Sequence, residues 1–73
     1  MRLKIVLDTH HAAARLAQIA EQFQEAITIT DGQGLRANAK SVIGVLSAME
    51  YNELWLESEN EHYLDFKDFV AEE

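Results

Sequence analysis

Cysteine and proline are both absent from this chain of 73 residues, and glycine occurs only three times. Without cysteine there is no disulfide framework and no thiolate metal site. Without proline, and with no run of serine or glycine, nothing reads as a linker, a repeat or a low-complexity segment. Long apolar runs are missing too. The first one, Leu3 to Leu7, ends at Asp8. That is too short for a signal-peptide core, and no segment approaches the length of a membrane span. A protein of the cytoplasm, with no direct membrane insertion, is the expectation.

Positive charge is also scarce. Six Lys and Arg stand against thirteen Asp and Glu, for a net charge of −7. The carboxylates gather in the last third, from Glu50 and Glu53 through Glu57, Glu59, Glu61, Asp65 and Asp68 to Glu72 and Glu73. A surface of that sign repels phosphate backbones, so nucleic acid is not an expected partner. It is either a solvated face or a docking surface for a basic partner. Nearly half of the residues are apolar, an ordinary share for a globular protein. The length implies one domain over residues 1–73, with about 60% of its unfolded surface buried.

The apolar pattern switches period along the chain. Leu3, Ile5 and Leu7 alternate with Arg2, Lys4 and Val6, the period of a strand. Asp8 and Thr9 supply capping chemistry for a helix, on which Ala13, Leu16, Ile19, Ala20 and Phe23 share one face while Arg15, Gln18, Glu21 and Gln22 point outward. Ala26–Thr30 and Leu35–Ala39 alternate on either side of Asp31-Gly32-Gln33-Gly34, a hairpin signal. Ser41 is placed to cap a short helix from Val42 to Met49, and Gly44 inside it, about 1 kcal/mol worse than alanine in a helix, implies a packing reason. Leu54-Trp55-Leu56 reads as a fourth strand, with Trp55 on the opposite sheet face from its neighbours. Ser58 and Glu61 have capping-box spacing before a last helix carrying Tyr63, Phe66, Phe69 and Val70 on one face. The order is β-α-β-β-α-β-α, an α+β fold of two layers with helices over one face of the sheet.

Two segments carry a resemblance. Ala39-Lys40-Ser41-Val42-Ile43-Gly44-Val45-Leu46 is similar to the regulatory-serine region of the HPr family, the histidine-containing phosphocarrier proteins of the bacterial phosphoenolpyruvate:sugar phosphotransferase system. Thr9-His10-His11-Ala12-Ala13-Ala14-Arg15 resembles that family's active-site pattern, roughly Gly-Leu/Ile-His-Ala-Arg-Pro-Ala. The resemblance implies an open-faced two-layer sandwich with a four-stranded antiparallel sheet and three helices on one face. It places the phosphoryl-accepting histidine at His11 and a regulatory phosphorylation site at Ser41. It departs from the pattern at Ala13, where the family has arginine, and at Ala14, where it has proline. It implies protein partners: enzyme I as donor, IIA components as acceptors and a regulatory kinase. It implies no cofactor.

Elementary chemistry fits that assignment. A neutral imidazole is a nucleophile toward phosphorus, and unpaired N–H groups with the dipole at a helix start favour the added negative charge. Arg15 lies four residues beyond His11, on the same helix face, and is the candidate substitute cation; Thr9 stands at the helix start. Adjacent His10 and His11 do not face each other, and His62 is distant in sequence, so no metal site is expected. Val42, Ile43, Leu46 and Met49 form an apolar stripe beside Ser41, either core or partner-binding. Two functions remain open: a phosphocarrier working through His11, in sugar transport, or a regulatory interaction module that has lost transfer and acts through the Ser41 helix surface.

Overall fold

The computed structural model describes residues 1–71; the carboxylates Glu72 and Glu73 lie outside the described residues. Four strands and three helices follow in the order β1 (Arg2–Ile5), α1 (His10–Ala20), β2 (Thr28–Thr30), β3 (Arg36–Asn38), α2 (Val42–Ala48), β4 (Leu54–Glu57) and α3 (Tyr63–Phe66), with a 3₁₀ turn at Lys67–Phe69 after them. The sheet order is β1-β4-β2-β3, and every pairing is antiparallel. The four-stranded open-faced sandwich with helices on one side is the expected architecture.

The strand period decides the two faces. Ile5, Ile29, Leu54 and Leu56 turn toward the helices and are buried, together with Leu16, Ala17, Val45, Phe66 and Phe69. Their neighbours Arg2, Lys4, Trp55, Arg36 and Asn38 occupy the other face, and Trp55 is half-buried there. Ala13, Leu16, Ala17 and Ala20 form the buried stripe of α1, whereas Arg15, Gln18, Glu21 and Gln22 are exposed.

Local chemistry explains the joints. The β2–β3 turn is held by the Asp31 carboxylate, whose Oδ1 accepts from the N–H groups of Gln33 (2.8 Å) and Leu35 (3.1 Å), while Gly32 and Gly34 take positive φ of 78° and 115°. Gly44 has the packing reason its position implied: a Cβ there would stand 2.9 Å from the Asn38 carbonyl oxygen, so glycine lets α2 lie against β3. Ser41 caps α2, its Oγ accepting from the Gly44 N–H at 3.1 Å.

The C-terminal region differs from expectation. Ser58 does not cap the last helix; its hydroxyl donates to the Asn60 carbonyl at 2.7 Å instead, and the helix starts at Tyr63 with His62 before it. The reason is tertiary. Ser58 pairs with Met1 through both its N–H and its carbonyl, and the His62 ring is held by Glu25 and by stacking on Phe23, with ring centroids 4.0 Å apart. Tyr63, expected on the apolar face, is exposed, and Phe66 and Phe69 carry the packing. Val70 leaves the helix altogether and bridges to Ile5 beside β1.

Candidate functional site

Thr9 has extended backbone angles and caps α1, its Oγ1 accepting from the Ala12 N–H at 3.0 Å and its carbonyl from the Ala13 N–H at 3.2 Å. His10 and His11 are therefore the first two residues of the helix, and both are exposed. Neither of their N–H groups has a hydrogen-bond partner among the described residues. No acidic residue stands in the first turn. An exposed imidazole lies next to two unpaired main-chain donors at the positive end of an eleven-residue helix.

Ala13 and Ala14, where the resemblance expects arginine and proline, differ in burial. Ala13 is completely buried in the core, so an arginine there would have to force a guanidinium between Leu16, Ala17 and their neighbours. Ala14 is only partly buried. Arg15 is exposed, and its contacts run toward the C-terminal turn: Nη2 lies 3.6 Å from Asp68 Oδ2, and the guanidinium lies 5.5 Å from the centre of the Phe69 ring. An ion pair as exposed as this is weak, of order 0–1 kcal/mol, so it does little to hold the guanidinium in place.

Ser41 is half-buried in its capping role. Lys40, just before it, donates from Nζ to the carbonyl of Phe23, beyond the end of α1. Helix α1 is roughly 16 Å long at 1.5 Å per residue. Ser41 therefore sits by the far end of α1 from His11, and the fold does not bring the two together. The apolar stripe on α2 divides: Val42 and Ile43 are exposed (42% and 78%), while Leu46 and Met49 pack partly against the core.

Pattern reading missed a cluster at the opposite end of α1. The Glu25 carboxylate receives the His62 Nε2, the Asn60 N–H at 2.9 Å and the Asn60 side-chain amide at 3.1 Å. The bond from His62, then that from the Asn60 N–H, lower the Glu25 pKa from 4.5 to about 2. The pair spans 37 residues of sequence, and no spacing rule reaches that far.

Comparison with known proteins points to one family. A family described as the PTS HPr component phosphorylation site matches residues 9–54, a stretch that holds His10, His11 and Ser41 and ends at the start of β4. The crystal structure of HPr-C-His from Thermoanaerobacter tengcongensis is similar, with a TM-score of 0.64 and 25% sequence identity, covering 92% of this chain and 81% of that one. No curated protein matches the chain. No helix among the described residues is long and apolar enough to cross a membrane. The family match spans more than half of the chain and the shared architecture nearly all of it, and on those grounds the chain belongs to the HPr family of phosphocarrier-like proteins of the phosphotransferase system.

Proposed function

We propose that this chain works in the cytoplasm as a single-domain phosphocarrier, accepting a phosphoryl group on His11 from enzyme I and passing it to a IIA component. The observation that carries the reading is the exposed His11 ring in the first turn of α1, beside the unpaired N–H groups of His10 and His11. An unprotonated nitrogen of His11 attacks the phosphorus of the donor phosphohistidine. A new N–P bond forms as the donor's N–P bond breaks, and the donor imidazole keeps the electron pair. The helix start then stabilises the phosphoryl oxygens. Thr9 holds the turn that aims these donors, although its own hydroxyl is committed to Ala12. Arg15, released from Asp68, supplies the counter-charge.

The experiment is incubation with enzyme I and labelled phosphoenolpyruvate. Acid-labile label that disappears in His11→Ala and persists in His10→Ala supports the carrier. Label that survives His11→Ala, or none on folded wild-type protein, overturns it. Because Ala13 is buried, restoring arginine there would disrupt the core; His10→Arg puts a cation at an exposed neighbour instead, and the carrier reading expects faster labelling.

The buried Ala13 also favours a second reading. The family's arginine has no room here, and Val42 and Ile43 present apolar surface at the start of α2. In that reading the protein controls a partner through the Ser41 helix, with or without a phosphate added by a kinase. An acid-stable phosphate absent in Ser41→Ala is its test.

A further inference from the structure

Two strand rows on the sheet face turned away from the helices are rich in positive charge, unlike the molecule as a whole, with Glu53 at their margin against Trp55. Register places Arg2, Glu57, Thr28 and Asn38 in one row across the four strands and Lys4, Trp55, Thr30 and Arg36 in the next. Directly paired residues project to the same side of a sheet. In a chain with thirteen acidic and six basic residues, these two rows hold three cations and one carboxylate. That carboxylate is shared: Glu57 lies 3.1 Å from the Arg2 Nε and 3.3 Å from the Arg36 Nη1.

Trp55 lies among the cations of this face. The Arg2 guanidinium stacks 4.2 Å from the centre of its ring, the Lys4 ammonium lies 5.7 Å away, and the indole N–H donates to Glu53 at 3.2 Å. An aromatic face attracts cations placed over it, weakly where they are exposed to water. The surface continues past Arg36 into a shallow groove of about 560 Å3, where Lys40, Gln24, Thr28 and Asn38 supply polar groups and no carboxylate contributes.

We propose that this open face, from Arg2 and Lys4 across Trp55 to Arg36 and the Lys40 groove, docks an acidic segment of a partner protein. Charge complementarity selects the occupant. The net charge of −7 repels anions at long range, so only a ligand whose carboxylates match the local cations gains enough to bind. A strand added at the β3 edge is not the mode, because the Asn38 carbonyl is taken by the Ser41 N–H at 3.1 Å and α2 packs against it. The helices lie on the other side of the sheet, so an acidic partner here leaves His11 and Ile43 accessible.

The test is a titration of isotope-labelled protein with a ten-residue oligoglutamate, followed by the backbone amides, the Trp55 indole N–H and the arginine Nε–H signals. A ten-residue oligothymidylate and a dilution series of the protein alone are run beside it. The expected result is saturable shifts confined to β1, β4 and the β2–β3 hairpin, with affinity falling about tenfold between roughly 20 and 200 mM salt. The Lys4→Gln and Arg36→Gln variants, checked for an unchanged melting profile, each weaken binding several-fold, and His11→Ala leaves it unaltered. The last arm separates this proposal from the carrier reading, which stands or falls independently. Absence of shifts, shifts centred on Arg15 or Lys67, tighter binding of oligothymidylate, or shifts reproduced by self-association on concentration each overturn it.

Discussion

His11 and His62 are the same side chain in opposite settings. His11 stands in solvent at the start of α1, with unpaired N–H groups nearby and no acidic residue in its turn. His62 is stacked on Phe23, bonded to Glu25 through Nε2, and faces Asp65 at 4.0 Å through Nδ1. Both its nitrogens meet carboxylates, which repel an incoming phosphoryl group. The residue type is the same, and the neighbours decide between an open imidazole and a structural pin.

The comparison breaks first on labelling. His11→Ala is expected to abolish acid-labile phosphorylation by enzyme I, whereas His62→Ala retains it at a temperature where the variant is folded; phosphate found on His62 would erase the distinction. The next largest effect is on the pinned end. Phe66 is fully buried and its ring centroid lies 6.1 Å from that of Phe23, so Phe66→Ala is expected to cost about 3–5 kcal/mol in urea unfolding.

Glu25 sharpens the contrast through pH. Its folded pKa is depressed to about 2 from an ordinary 4.5, so the stability it contributes is complete above about pH 4.5 and is lost as the pH falls toward 2. Melting temperatures of Glu25→Gln measured across that range are expected to vary less steeply with pH than those of the wild type, and parallel curves would remove the pair from the account. The smallest effect is at the second helix start, where Ser41→Ala loses the cap of Gly44 and about 1 kcal/mol of stability.

Much of the fold was legible in order of sequence. Period-two alternation in Leu3–Leu7 and Leu54–Leu56, the Asp31–Gly34 turn, and the caps at Thr9 and Ser41 are all local, and each sits where its pattern placed it within a residue or two. The exposure of His11 follows from the same local logic, since a residue just inside a cap has few neighbours. The capping box at Ser58 failed because Ser58 pairs with Met1, 57 residues away, through both its N–H and its carbonyl, while its hydroxyl is given to Asn60.

By itself, then, the amino-acid order determined the element types, their succession, the two faces of each strand and the histidine at the head of α1, because dihedral preference and hydrophobic period act between near neighbours. Tertiary structure alone decided that Ala13 is sealed in the core, that Arg15 turns toward Asp68, that Glu25 and His62 lock together, that Arg2 and Lys4 meet over Trp55, and that Arg36 reaches Glu57. Each of those depends on which strands pair and how the helices lie across them, and that is settled only when distant segments share one core.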